Sequence, residues 1–203
     1  MKELKAAPVK ESKASAQILE AAIELFADYG YFGTTMRDLA EKADVTPMTI
    51  YRLFKSKDGL FEMTLKAVTK RSQDQGPYLL TVFHNKGKPV SQKLIITIVR
   101  QWYDAVPHKP ARLIMYAYLS GQEEWRNIAY STLEKIIEVL ADTLEGAIDK
   151  KSKRRPKTIV AARTLILALF QFKITHPMKS AREETAAVDE ILHQWLMGIF
   201  QGN

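Results

Sequence analysis

Residues 34–57 read TTMRDLAEKADVTPMTIYRLFKSK, and the fold turns on this stretch. Thr35 precedes an apolar-periodic run and Asp38 follows three residues later. At that spacing an N-cap hydroxyl and an N3 acid can satisfy each other's backbone N–H groups. The helix so opened spans Met36 to Ala43 and turns Met36, Leu39 and Ala43 inward. Asp44-Val45 reads as a turn. Thr46-Pro47 then joins an N-cap to a first-turn proline, whose missing N–H would have had no helical partner, and starts a second short helix reaching about Phe54. Many helical bundles contain two short helices joined by a tight turn, but the chemistry sets this pair apart. From Thr46 to Lys57 there are three basic residues, Arg52, Lys55 and Lys57, and no acidic one.

Outward from this core, helical periodicity dominates. Upstream, Ile18, Ala22, Leu25, Phe26 and Tyr29 form one stripe of an amphipathic helix, and Gly30 supplies a left-handed stop. Downstream, Ser56 caps a helix that carries Leu60, Phe61, Leu65 and Val68 inward and fades near Gly76-Pro77. Further helices follow over Ser91–Ala105, Arg112–Ser120, a seven-turn stripe (Trp125, Ile128, Thr132, Leu133, Ile136, Leu140, Leu144, Ile148), Thr158–Thr175 and about 185–200. No strand-like alternation and no internal repeat competes. The chain is expected to be all-α: a flexible basic arm over 1–14, a three-helix domain containing the two short helices over 15–60, and a larger helical domain over 61–203.

Charge does not carry the functional reading. The chain is +7 overall, yet residues 1–60 hold nine Lys/Arg against nine Asp/Glu. The excess lies later, most densely in Lys150–Lys157, where proline and like charges read either as a solvated connection or as a second DNA contact. The lysines at 2, 5, 10 and 13 are a solvated arm or an arm that touches DNA. No cysteine is present, which excludes disulfides, thiolate zinc sites and a cysteine nucleophile, and suits a reducing cytoplasm. The N-terminal lysines precede no apolar segment, so no secretory signal is expected. The densest apolar run is the six residues Leu165–Phe170, well short of the roughly 18 of a membrane span, so no membrane partner is expected.

In a helix-turn-helix the second helix enters the major groove with its N-terminal residues at the base edges. Here these are Met48, Thr49 and Arg52, behind Pro47. Thr35, Thr46, Tyr51, Lys55 and Lys57 offer hydroxyl and ammonium donors to phosphate oxygens. Lys57 also stands on a helix's first turn, where free N–H groups favour an anion. Tyr51 reads either as a phosphate contact or as a core aromatic. Phe26, Leu39, Ile50 and Phe54 read as core.

These residues carry a resemblance. Ile18–Ala22 with Leu25-Phe26, Gly30-Tyr31-Phe32-Gly33-Thr34-Thr35, Asp38-Leu39-Ala40, Val45-Thr46 and Ile50–Leu60 together resemble the TetR family signature over about 45 residues. The resemblance implies a homodimeric repressor with a helix-turn-helix head and a variable ligand-binding body. By position it implies that Thr35, Thr46, Tyr51 and Lys57 hold phosphates while Met48, Thr49 and Arg52 face the groove. Met48 stands where the family favours a small residue, and Leu53 where a histidine often touches the backbone.

Beyond about residue 70 the resemblance ends. The helix over 158–175 is apolar on most sides and, with the last helix and its Trp195, is expected to pair with a second copy around a two-fold axis. Trp102, Tyr103, Met115, Tyr116 and Tyr118 could line a site for a small apolar or aromatic effector, or could be ordinary core; Trp125 reads as core. An enzyme is not expected. The four histidines show no metal-ligand spacing, there is no Gly-rich phosphate loop and no nucleophile elbow, and no cofactor is implied. The other class open to the sequence is a helical partner- or membrane-surface-binding protein without specific DNA recognition.

Overall fold

The computed structural model describes residues 13–75, 90–148, 157–175 and 180–200. The lysines at 2, 5 and 10 and the basic run up to Pro156 lie outside them. Among the described residues there are nine helices and no strand: α1 Lys13–Gly33, α2 Met36–Lys42, α3 Pro47–Phe54, α4 Lys57–Gln75, α5 Gln92–Ala105, α6 His108–Leu119, α7 Glu123–Ala147, α8 Thr158–Thr175 and α9 Ala181–Phe200. The chain divides into two compact units between Ala67 and Val68.

In the first unit α1 packs on α2 and α2 on α3. Gly30, at φ +75°, kinks the end of α1, where an L side chain would be strained. The buried Thr34 closes that end by donating to the carbonyls of Gly30 (2.9 Å) and Leu25 (3.1 Å). Ile18, Ala22 and Phe26 form the expected stripe, and Ile50, Phe54, Leu60 and Phe61 are buried with them. Tyr29 departs from it. It lies beside Gly30, where the helix kinks, and is 68% exposed. Met36 is half-buried, as the first residue of a seven-residue helix.

The turns of this unit are tight. Asp44 joins α2 to α3 at φ +52°. Lys55 joins α3 to α4 at φ +68° and ψ −41°, with the Ser56 N–H donating to the Phe54 carbonyl at 2.8 Å. That i→i+2 closure at positive φ is the rare, strained form of the γ-turn. Gly59 follows because a methyl at its Cα would overlap the Phe54 carbonyl oxygen.

In the second unit α7 packs on α6 and α8, α6 also meets α8, and α9 lies against α5 and α8. Its core is aliphatic: Ile95, Ile98, Leu113, Ile114, Leu133, Leu140, Leu165, Ile166, Leu169, Val188, Leu192 and Leu196 are buried. Two helices start earlier than periodicity suggested. α6 begins at His108 and carries Pro110 in its first turn, where no N–H is required. α9 begins at Ala181, with the Ser180 hydroxyl accepting from the Glu183 N–H at 3.2 Å. Along α7, Ile137 rather than Ile136 is buried, because a 25-residue helix drifts off a single straight stripe. Thr158–Thr175 needs a second correction. Counting unbroken apolar runs passed over it, yet the whole helix has the length and composition of a membrane-crossing segment, with a mean hydropathy of 1.5. Here it packs against α6, α7 and α9.

A polar cluster ties α5 to α8 and α9. The Tyr103 hydroxyl donates to Glu184 Oε1 at 2.7 Å, while the Lys173 ammonium donates to the Tyr103 carbonyl at 2.9 Å and lies 3.9 Å from the ring centroid. Arg100 pairs with Asp189 and donates to the Thr185 carbonyl at 3.2 Å. Burial, and then the Glu184 hydrogen bond, push the Tyr103 hydroxyl well above the usual tyrosine range. Burial also lowers Lys173, against the opposing pull of Glu184 and Asp104.

Candidate nucleic-acid interface

Both short helices are held by their caps. Thr35 Oγ1 accepts from the Asp38 N–H at 3.1 Å and Asp38 Oδ2 accepts from the Thr35 N–H at 3.0 Å, completing the capping box. These hydrogen bonds hold the Asp38 carboxyl below the usual carboxylate range. On α3, Thr46 Oγ1 accepts from the Thr49 N–H at 3.3 Å and lies 3.0 Å from the Thr49 hydroxyl, with Pro47 in the first turn. α3 buries Ile50 and Phe54 and turns Pro47, Met48, Tyr51 and Arg52 outward. Met48 is 74% exposed and Tyr51 47%. Such exposure of a large apolar side chain at the start of a capped helix is what a groove-facing residue requires and what a core residue does not. Tyr51 is accordingly no core aromatic.

Around this face stand the expected donors. Thr35 and Thr46 are exposed at their caps, and Lys55 is exposed with its ammonium donating to the Arg52 carbonyl at 3.1 Å. Thr49 is half-buried and shares its hydroxyl with Thr46. Lys57, on the first turn of α4, is half-buried, with its ammonium 4.3 Å from the centroid of the Tyr31 ring. Burial lowers its pKa, while Asp58 and then Asp38 pull the other way. The Tyr31 hydroxyl donates to Asp58. Tyr31 and Asp58 were read only as parts of a sequence pattern. The signal that singles them out is a contact across 27 residues, which no local spacing encodes. Arg37, exposed on the first turn of α2, was also not picked out.

Of the five effector candidates, Trp102 and Tyr103 stand on α5 and Met115, Tyr116 and Tyr118 on α6. Trp102 packs on Phe170 at 5.5 Å between ring centroids, and Tyr103 belongs to the polar cluster of α8 and α9. Tyr118 stacks on Tyr130 at 6.3 Å, Met115 is buried, and Tyr116 is half-buried with its hydroxyl raised by burial. Trp125 is buried, as expected of core.

The sequence profile of bacterial regulatory proteins of the tetR family matches residues 18–64, from the core of α1 into α4. Over 156 residues the chain is 31% identical to an Escherichia coli (strain K12) protein named the probable acrEF/envCD operon repressor, covering 74% of this chain and 63% of that one. These matches support a TetR family member. A second member, the Bacillus subtilis (strain 168) HTH-type transcriptional regulator YvkB, is 43% identical over 63 residues, 31% of this chain and 32% of that protein. The chain thus spans less than two thirds of the length of these relatives. The TetR fold extends to the body. The crystal structure of a TetR-like transcriptional regulator from Rhodococcus sp. RHA1 superposes with a TM-score of 0.69 at 20% identity, covering 97% of this chain and all of that one. The all-α class, with a helix-turn-helix head and a larger helical body, is therefore the TetR architecture, and the family comprises regulators, not enzymes.

Proposed function

We propose that this chain is a ligand-responsive transcriptional repressor that binds a palindromic operator as a homodimer and is released by a small molecule. The observation that carries the DNA reading is the outer face of α3. Met48, Tyr51 and Arg52 stand exposed on a helix fixed at both ends, framed by the Thr35, Thr46, Lys55 and Lys57 donors. On this reading Thr49 and Arg52 meet base edges beside Met48, and Pro47 sets the entry of the helix. Thr35, Thr46, Tyr51, Lys55 and Lys57 neutralise or hydrogen-bond phosphates.

The homodimer rests on α8. It is among the most apolar helices of the chain, yet 28% of its residues are buried within one copy. Ile159, Val160 and Met197 of α8 and α9 face outward, and an apolar face of this kind is covered most simply by its own two-fold copy. A two-fold pair would present two recognition helices about one DNA turn, roughly 34 Å, apart, which matches a palindrome. For release, a small apolar or aromatic effector would bind among α5–α7 beside Trp102, Tyr103, Met115, Tyr116 and Tyr118. α4, one helix running from Lys57 to Gln75, carries the chain from the first unit into the second and so can transmit a shift. By reciprocity such an effector binds the DNA complex more weakly by the factor with which it weakens DNA binding.

Site selection from random duplexes tests the reading. The wild type is expected to return a two-fold consensus, and Arg52→Ala the same consensus with one position per half-site relaxed by about 1–3 kcal/mol. A consensus without two-fold symmetry would overturn the homodimeric operator. An unchanged consensus with Arg52→Ala would make Arg52 a backbone contact.

A further inference from the structure

Lys57 does not hang free in solvent. Its ammonium sits 4.3 Å from the centroid of the Tyr31 ring, within the roughly 6 Å over which a cation is attracted to an aromatic face. The ring is itself immobilised. Phe26 stacks on it at 5.9 Å, Phe61 meets it edge-on at 5.4 Å, Phe32 does so at 5.2 Å, and its hydroxyl donates to Asp58, the residue after Lys57. Tyr31 therefore grips two successive residues at the start of α4, one through its face and the other through its hydroxyl.

From this geometry we infer that Tyr31 is a positioning residue for DNA binding: it holds the Lys57 ammonium ready for a phosphate. The inference rests on the phosphate role proposed for Lys57. A lysine stem carries much rotamer freedom, which a flexible side chain loses on meeting a phosphate. On Tyr31 that freedom is already restricted in the free protein, so less is lost on binding. An ammonium has three donors, and lying over a ring leaves donors directed away from it. Burial lowers the Lys57 pKa, and Asp58 and Asp38 counter that effect. Tyr31 need not touch DNA for any of this.

A double-mutant cycle with the full-length chain tests the inference, using a random-sequence duplex several turns long and affinity measured as a function of salt. A phosphate contact acts alike on all sequences, so no operator is needed. Lys57→Met is expected to weaken binding and to reduce the salt slope by about 0.9. Tyr31→Leu is expected to weaken binding roughly two- to five-fold in the wild-type background, and to have no further effect once Lys57 is Met. Tyr31→Phe keeps the ring and should retain most of the affinity. Because Tyr31→Leu also thins a packed aromatic cluster, the Lys57 ε-methylene proton shift is read in parallel. The ring should hold it upfield in the wild type and in Tyr31→Phe, and release it in Tyr31→Leu. An equal loss from Tyr31→Leu in both backgrounds would overturn the inference while leaving the Lys57 contact intact, and so would an ε-methylene shift at its free-lysine value in the wild type. If Lys57→Met changes neither affinity nor slope, the phosphate role itself fails and the inference falls with it.

Discussion

The two units differ in how far their polar contacts reach along the chain. In the first, side-chain hydrogen bonds that fix helix ends close within three or four residues: Thr35 with Asp38, Thr46 with Thr49, Ser56 with Gly59, Thr34 with Gly30. In the second, contacts between helices reach as far as 89 residues: Arg163 to Glu134, Trp195 to the Ala161 carbonyl, Lys173 to the Tyr103 carbonyl, Tyr103 to Glu184, Arg100 to Asp189. A unit built from short-range caps fixes the ends and directions of its helices almost without reference to the rest of the chain. One built from long-range pairs fixes which helices meet, and leaves their exposed surfaces free to vary with a partner or ligand.

The largest expected effect concerns the body and corrects a sequence-based expectation. The last helix is expected from the sequence to face a second copy, but its Leu192 is 1% exposed and belongs to the core of its own chain. Leu192→Asp should therefore unfold the second unit, at a cost of about 3–5 kcal/mol for an unpaired buried charge, in chemical denaturation. Val160→Glu, at a residue 54% exposed, should instead fold normally and sediment as a monomer. If Leu192→Asp melts like the wild type, the core assignment is wrong. If Val160→Glu still sediments as a dimer, the α8 face is not the interface.

Next comes a long-range pair. Tyr103→Phe removes the hydroxyl that donates to Glu184 and should destabilise the body toward the lower end of the roughly 1.5–3 kcal/mol of a charge-assisted bond, since Glu184 is partly solvated. A short-range contact in the head should cost less. Thr46→Ala removes the N-cap of α3 and should cost about 1 kcal/mol, with a loss of DNA affinity as the helix frays. If Thr46→Ala proves the more damaging of the two, the contrast between the units is inverted.

The smallest effect is a pH dependence. Asp38 is held below its unfolded pKa, so its contribution is present above the usual carboxylate range and lost as pH falls through the lowered folded value. Following α2 amide exchange from neutral pH downward should show this end of the head loosening only at acid pH. Asp38→Asn should flatten the profile.

The same contrast explains what was legible in the sequence. Thr35, Thr46-Pro47 and Ser56 announced helix starts that the structure reproduces, because a cap is chemistry between residues three apart. The start of α9 was missed although Ser180 supplies the same signal, since the adjoining Thr185–Ala187 lacks an apolar stripe. Tyr29 falls on the α1 stripe by spacing yet is exposed, because it is the last residue before the Gly30 kink. Tyr31, Asp58, Lys173 and Glu184 were beyond reach. Each gains its role from a residue tens of positions away, and periodicity carries no information on such pairs.

Consider finally the Lys55 turn. α3 is closed at one end by a threonine cap and at the other by a turn so short that the chain reverses within three residues. Neither closure uses the side chains of Met48, Tyr51 or Arg52. On the proposed reading α3 is in this sense a cassette with fixed ends and a rewritable face. Its outward side chains can be exchanged without altering the frame that presents them, so a lineage could change its DNA target at little cost in stability.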